Sequence, residues 1–200
     1  MPNNRNDPNA TFRRDFTIQL RDAGEDGSRR CVLSFSSEEP YGRWWGTEIL
    51  SHAENALLIK RLQEIGVLLF NHDRDYVLGK ILRAWVEDGR GCAEVEFDPD
   101  EKSDLIFQKV QSKTLQASSV GYRVLVWEDV EGGAVSTCGR FKGPCSIATR
   151  WEPLEVSIVS VPADPTVGVG RDALDTIPYR LFAAERQITI NKNRHGGTTA

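Results

Sequence analysis

Short segments in which apolar and polar residues alternate recur along this chain and constrain its fold more than any other feature. Every second residue is apolar in Ala93–Phe97, in Val120–Val126 and in Leu154–Ile158. A period of two is typical of a β-strand that buries one face. Glycine-containing turn sequences separate such segments, as DGRG does at Asp88–Gly91, and favour hairpins over parallel crossovers. We therefore expect about seven or eight strands.

Two helices are predicted between the strands. Ser51 and Glu54 have the spacing of a capping box, which predicts a helix over residues 51–65. Asp98 in the N-cap position predicts a second helix over residues 99–113. Hairpin-connected strands with helices inserted at separate points indicate a mainly β (α+β) fold. The expected architecture is a closed or nearly closed, antiparallel-rich β-barrel with two or more peripheral helices.

The length and composition favour one globular domain with tails. The 200 residues suit a single core rather than two full domains. Residues 1–11 are rich in Asn and predict a disordered N-terminal tail, residues 12–170 form the predicted β-barrel domain, and residues 171–200 are predicted to be a C-terminal tail or linker. The formal net charge of -4 argues against nucleic acid as the main partner.

Neither a membrane nor a metal ion is expected as a partner. No apolar run approaches ~18 residues, and the first residues lack the apolar core of a signal peptide, so we expect folding in the cytosol. The 4 cysteines show no C-x-x-C spacing, and no histidine lies near Cys138 or Cys145. We therefore expect reduced thiols, no metal site and no cofactor.

Of the 3 histidines, one is placed as a general base would be. His52 falls in the first turn of a predicted helix, and His195 falls in a polar tail. His72 follows the short apolar strand VLLF, so the sheet would hold its ring at the strand end. Imidazole accepts and returns a proton near neutral pH, which makes His72 the candidate base. The ordinary alternative is a structural histidine.

Two further side chains are candidates for hydrolytic chemistry. Val120 and Tyr122 form the core face of one strand, so Ser119 lies on the other face beside Gly121, which would leave room for a substrate chain. Ser119 is the candidate nucleophile, or else a turn residue. Glu155 projects away from the apolar face of its own strand. Its carboxylate can orient an imidazole or simply remain solvated.

Taken together, three segments form a pattern that none of them carries alone. VLLFNHDRDYVLGKI, LQASSVGYRV and RWEPLEVSIVSVPADP occur in this order, with 47 residues from His72 to Ser119 and 36 from Ser119 to Glu155. This ordered set resembles the signature blocks of the tailed-phage prohead (capsid maturation) protease family over about residues 40–170. The resemblance implies a serine endopeptidase similar in fold to the herpesvirus assemblin proteases.

The resemblance also implies roles and partners. His72 would be the base, Ser119 the nucleophile and Glu155 the acid that orients the imidazole. The substrates would be the major capsid protein, the scaffold and the protease itself. Cleavage would take place inside the assembling prohead, in the cytoplasm of the bacterial host, and the enzyme would be able to form a homodimer.

Three questions stay open at this point. One alternative is a catalytically inactive β-barrel that binds capsid or scaffold protein. A cysteine protease is a weaker alternative, because none of the cysteines lies at the boundary of a signature block. The oxyanion donors are also open, among the backbone of Gly121, the side chain of Arg123 and the segment after Val161.

Overall fold

The computed structural model describes residues 5–7, 9–17, 21–23 and 28–161. The predicted tail or linker over residues 171–200 lies outside the described residues, as does His195, and the domain boundaries stay predictions. Arg5, in the predicted N-terminal tail, forms an ion pair with Asp129 at 2.5 Å.

Ten strands and two helices follow one another within the described residues. The strands are β1 Phe12–Thr17, β2 Arg21–Ala23, β3 Arg30–Ser37, β4 Tyr41–Arg43, β5 Gly46–Leu50, β6 Val67–Phe70, β7 Asp73–Glu87, β8 Arg90–Phe97, β9 Ala117–Val130 and β10 Cys145–Val159. The helices are α1 Lys60–Ile65 and α2 Glu101–Gln111.

The strands form one sheet in the order β1-β9-β10-β6-β7-β8-β3-β2, and β5 adds to β10 with β4 beside it. Seven of the nine described strand pairs are antiparallel, and β10 pairs in parallel with β5 and β6. The mainly β, antiparallel-rich class predicted from the sequence is therefore confirmed. Closure of the barrel is not confirmed. The sheet curls strongly into a half-barrel, and its two edge strands, β1 and β2, form no ladder with each other among the described residues.

The alternating apolar faces of the strands make one hydrophobic core. Val120 and Tyr122 of β9 and Val156 of β10 are fully buried. Helix α2 covers part of this core with Phe107, whose ring centroid lies 5.0 Å from that of Phe97. Each fully buried side chain of this size contributes roughly 1.5–3 kcal/mol to folding. This packing holds β9 and β10 rigidly, and these strands carry two of the candidate site residues.

Helix α1 is shorter than the sequence predicts. The prediction of a helix from Ser51 is wrong, since α1 begins at Lys60. The Ser51 N–H donates to Ala148 O at 3.1 Å, and Ser51 O accepts the indole N–H of Trp151 at 2.8 Å. These bonds tie the segment to β10, so the capping box does not start a helix.

Helix α2 begins two residues later than predicted. The N-cap is Asp100, whose carboxylate accepts the backbone N–H groups of Lys102 at 3.0 Å and Ser103 at 3.1 Å. Asp98 continues the sheet instead, because its N–H donates to Leu78 O at 2.8 Å, and the helix begins further along the chain. A capping residue with two satisfied N–H groups stabilises a helix by about 1 kcal/mol.

Strands β9 and β10 form a long antiparallel hairpin closed by residues 131–144. Ser119 lies near the start of β9, whereas this loop leaves the other end of the same strand. The loop therefore has no place in the site around Ser119.

Candidate active site

A two-residue turn between β6 and β7 carries His72. Phe70 pairs with Asp73, so the hairpin loop consists of Asn71 and His72, whose φ angles are +53° and +60°. Positive φ at both positions is the mark of a type I′ turn, which matches the twist of the flanking strands. A histidine in this region pays about 1–2 kcal/mol in steric strain, so the surrounding structure must hold it there.

Strand β10 provides the first restraint on this turn. Strand β6 pairs with β10 in parallel, with Ile158 opposite Phe70, and the Asn71 N–H continues the ladder by donating to Ile158 O at 2.9 Å. The Asn71 side-chain oxygen then accepts the N–H of Ser160 at 2.9 Å. These two hydrogen bonds hold the turn after β6 against the end of β10.

The register of β9 against β10 brings the other two candidates to the same place. Gly121 lies opposite Glu155, and Ser119 lies opposite Ser157. Residues that pair across a ladder share a face of the sheet, and so do residues two apart on one strand. Ser119, Glu155 and Ser157 therefore project from one face, opposite to the core face, as the alternating pattern predicts for Ser119 and Glu155.

The three predicted site residues form one line of hydrogen bonds. His72 Nδ1 lies 2.6 Å from Glu155 Oε1, and His72 Nε2 lies 2.8 Å from Ser119 Oγ. Because an ionised carboxylate can only accept, Nδ1 carries the proton and Nε2 is free to accept the hydroxyl proton of Ser119. The side chains of His72 and Glu155 are 10% and 17% exposed, so water screens the hydrogen bond between them weakly.

Gly121 makes room for the Glu155 carboxylate. A Cβ atom at residue 121 would overlap Oε1 of Glu155 and lie 3.1 Å from its Cδ. The space that sequence reasoning reserves for a substrate chain is therefore filled by the carboxylate itself. The glycine allows Glu155 to reach His72 from the neighbouring strand.

The Ser119 hydroxyl has a second acceptor within reach. Ser119 is fully buried, and its Oγ lies 3.0 Å from the backbone oxygen of Arg14 in β1. One hydroxyl proton can be donated to Arg14 O or to His72 Nε2, but not fully to both. The contact with β1 thus competes with the contact that would activate the hydroxyl.

The other histidine and cysteine side chains that the structure describes lie outside this cluster. His52 is buried, with Nε2 2.7 Å from Ser36 Oγ and Nδ1 3.0 Å from Leu50 O. Burial lowers the pKa of His52 to about 4, so it is neutral and structural. Burial likewise raises the pKa of the Cys31 thiol to about 12. Within the described residues, no group of three or more His, Cys, Asp or Glu side chains could hold a metal ion.

Sequence reasoning missed two residues that hold the cluster. Ser157 donates to Glu155 Oε2 at 2.7 Å and accepts the backbone N–H of His72 at 3.1 Å. The alternating pattern of the strand could have identified Ser157, because a residue two positions after Glu155 lies on the same face. Asn71 supports the turn, and it could have been predicted as a turn residue because asparagine tolerates positive φ. Arg123, one of the open oxyanion candidates, is paired with Glu152 at 2.7 Å.

Comparison with known proteins identifies the family. The chain matches the family of caudovirus prohead serine proteases over residues 48–176. It is 36% identical over 150 residues to a protein named major capsid protein from Halomonas phage phiHAP-1. That alignment covers 72% of this chain and 23% of the phage protein, so the chain spans less than a quarter of that relative's length.

Two further comparisons bear on the fold. No solved structure matches the chain, so the likeness to assemblin proteases stays a prediction. None of the helices in the described part of the chain is long and apolar enough to cross a membrane. The family match extends over more than half of the sequence and includes all three signature segments. The chain therefore belongs to the caudovirus prohead serine protease family.

Proposed function

We propose that this chain is an active serine endopeptidase with Ser119 as nucleophile, His72 as general base and Glu155 as the acid that orients the imidazole. The observation that supports this most directly is the unbroken line of hydrogen bonds from Glu155 Oε1 through His72 to Ser119 Oγ, at 2.6 Å and 2.8 Å. The same arrangement of carboxylate, imidazole and hydroxyl recurs in serine hydrolases on unrelated folds.

The proposed reaction begins with acylation of the serine. Ser119 Oγ attacks the carbonyl carbon of the scissile peptide while its proton passes to His72 Nε2. Glu155 accepts the Nδ1–H throughout and stabilises the imidazolium that forms. The tetrahedral intermediate then collapses: the C–N bond breaks, and Nε2 returns the proton to the leaving amine. An ester between Ser119 and the acyl half of the substrate remains.

Hydrolysis of this ester completes the cycle. A water molecule takes the place of the departed amine and gives a proton to His72 Nε2 as its oxygen attacks the ester carbonyl. When the C–O bond to Ser119 breaks, Nε2 returns the proton to Oγ, and the new carboxyl terminus leaves. No proton or electron is gained or lost by the protein over the full cycle.

Capsid protein is the proposed substrate, together with the scaffold and the protease chain itself. Membership of the prohead protease family supports this. So does the similarity of this chain to a segment of a protein named major capsid protein. The proposed place of action is the assembling prohead in the host cell, and homodimer formation stays a prediction.

One observation favours a second candidate, a catalytically inactive protein that binds capsid or scaffold protein. Ser119 is fully buried, and its Oγ also lies within hydrogen-bond distance of Arg14 O. A substrate carbonyl can reach Ser119 only after the side chain is uncovered. A protein that binds without cutting would not need that step.

Co-expression with the cognate capsid precursor separates the two candidates. The wild-type chain should produce discrete fragments and react with a fluorophosphonate, a reagent specific for activated serines. Ser119→Ala should leave the precursor intact, with a loss of at least about 1,000-fold in rate, because the nucleophile is removed. Mass spectrometry of the fragments measures activity and cut site together.

Ser118→Ala is the matched control for this experiment. Ser118 is the adjacent buried serine, and its Oγ donates to Ser34 O at 2.8 Å on the opposite face of the strand. This variant should still cut the precursor. Fragments that persist in Ser119→Ala would remove Ser119 from the mechanism, and a wild-type chain that binds the precursor but never cuts it would favour the inactive protein.

A further inference from the structure

We infer that Ser157 is a positioning residue whose single hydroxyl fixes both the carboxylate of Glu155 and the backbone of His72. The inference rests on the proposed function, because it explains how the line of hydrogen bonds to Ser119 is kept in register. Ser157 lies on β10, two residues after Glu155 and directly opposite Ser119 on β9. It is fully buried.

The roles of donor and acceptor at Ser157 follow from its neighbours. The backbone N–H of His72 can only donate, so Ser157 Oγ is the acceptor in the 3.1 Å contact. An ionised Glu155 can only accept, so the hydroxyl proton is directed to Oε2 in the 2.7 Å contact. The proton of Ser157 is therefore committed to Glu155.

The first consequence concerns the Glu155 carboxylate. Its oxygen Oε1 faces His72 Nδ1 and its oxygen Oε2 faces Ser157 Oγ. Two different donors on the two oxygens fix the rotation of the carboxylate about its terminal bond. Hydrogen bonds to an ionised group are about twice as strong as neutral ones, so this orientation is well held. Without Ser157, the described hydrogen bonds to the Glu155 carboxylate would be reduced to the one from His72, the residue that Glu155 is proposed to orient.

The second consequence concerns the backbone of His72. The φ angle of +60° at this residue is unfavourable for any side chain with a Cβ atom. The Ser157 hydroxyl accepts the N–H of the strained residue and helps to hold it in place. A residue that lost this bond could relax toward negative φ and carry the imidazole away from Ser119. Misplacement by 1 Å is enough to slow an enzyme about 100-fold.

Ser157 is not a second nucleophile. The atom that would accept a nucleophile's proton, His72 Nε2, is in contact with Ser119 Oγ at 2.8 Å. Ser157 Oγ lies instead 3.4 Å from Nδ1, the nitrogen that already carries a proton. The two serines thus lie on either side of the same imidazole, Ser119 at Nε2 and Ser157 near Nδ1.

The test compares Ser157→Ala with the wild-type chain on the capsid precursor and on a fluorophosphonate. We expect kcat to fall about 10- to 100-fold with KM within about twofold, because binding contacts are retained while the base is misplaced. The rate of fluorophosphonate labelling should fall by the same factor. Ser157→Thr, which keeps a hydroxyl donor and acceptor, should recover most of the rate.

A second measurement does not depend on activity. In the Ser119→Ala background, adding Ser157→Ala should speed hydrogen exchange at the His72 amide and shift or broaden the Nδ1–H resonance of its imidazole in NMR spectra. If the alanine variant does not fold, Ser157→Cys keeps the side-chain shape with a weak donor and acceptor, and the same changes are expected. Ser118→Ala should alter neither measurement.

The outcomes separate the inference from the proposed function. A wild-type rate in Ser119→Ala would overturn the proposed function, while the NMR experiment would still decide whether Ser157 holds His72 and Glu155. A rate within twofold of wild type in a folded Ser157→Ala, with an unchanged His72 amide, would overturn the inference while leaving Ser119 as the nucleophile.

Discussion

At the scale of single residues, Gly121 shows how tightly the cluster is fitted. It lies on β9 opposite Glu155, and any Cβ atom there would overlap the carboxylate oxygen that contacts His72. The atom that would have to move is the far end of a flexible side chain, so the backbone can keep its place, and the roughly 0.5–1 kcal/mol by which alanine favours a strand over glycine offsets part of the lost hydrogen bonding. On the proposed mechanism the same atom orients the imidazole, so its displacement should slow the reaction.

Gly121→Ala should therefore separate activity from stability. We expect kcat to fall at least about 10-fold, since the Glu155 carboxylate is pushed off Nδ1, while the urea midpoint of unfolding changes little. Gly42→Ala is the matched control, because a Cβ atom there meets nothing within 4 Å. An unchanged rate in Gly121→Ala would mean that the orientation of Glu155 is not needed.

The residue scale also shows what the sequence could predict of the candidate site. The period of two places Ser119 and Glu155 on the polar faces of their strands, and the structure has them there. The register that brings these two residues close together could not be predicted, because the β9–β10 ladder shifts between Pro153 and Glu155. Without that register, neither the contact at Gly121 nor the position of Ser157 can be derived.

At the scale of elements, the turn between β6 and β7 holds His72 in a strained backbone conformation. Its second residue is the usual place of glycine in a type I′ turn, and here it is His72 with φ of +60°. Local strain of this kind is kept where the surrounding structure over-determines it. Strand β10 supplies that restraint through the backbone of Ile158 and the hydroxyl of Ser157.

Two variants of His72 should reveal the strain. Both His72→Ala and His72→Gly remove the imidazole and should abolish proteolysis, but His72→Gly should be more stable by about 1 kcal/mol because glycine adopts positive φ freely. Urea unfolding measures the difference. At the exposed strand residue Asp75 the order should reverse, since glycine weakens a strand relative to alanine. Equal stability of the two His72 variants would contradict a strained turn.

The helices show where local sequence signals fail. The capping box at Ser51 is chemically sound, yet the segment after it binds to β10 through Ala148 and Trp151. A cap contributes about 1 kcal/mol, which sheet pairing and burial of an indole exceed. Tertiary contacts with a strand almost a hundred residues later therefore decide the structure of this segment, and no local pattern contains them.

At the scale of the whole molecule, a buried neutral histidine ties β3 to the end of β5. His52 contacts Ser36 Oγ and Leu50 O, and burial lowers its pKa from 6.5 to about 4. Between these two values the unfolded chain binds a proton that the folded chain does not. The folded state therefore loses stability as the pH falls from 6.5 toward 4.

The size of this effect can be measured by unfolding at several pH values. The shift of the His52 pKa corresponds to about 3 kcal/mol of unfolding free energy lost between pH 6.5 and pH 4. His52→Asn keeps a donor toward Leu50 O but has no proton to gain, so its stability should depend less on pH over this range. Parallel pH profiles of the variant and the wild type would contradict a buried neutral His52.

The overall architecture was predictable only in its class. Strand periodicity indicates a mainly β, antiparallel-rich fold, because each strand carries its own signal. The half-barrel depends on pairs between distant segments, such as Phe12 with Tyr122 on the β1–β9 ladder. Whether the two edge strands pair depends on the total curvature of the sheet. No single segment of the sequence indicates that curvature, so closure could not be predicted.

The late position of β10 in the chain has a consequence for synthesis. On the proposed mechanism, a nascent polypeptide displays Ser119 and His72 well before Cys145–Val159 has left the ribosome. Until then the imidazole lacks the carboxylate of Glu155, and its turn lacks the restraint that β10 provides. If the proposed mechanism holds, the three side chains cannot come together until β10 has emerged, so the order of translation delays cleavage.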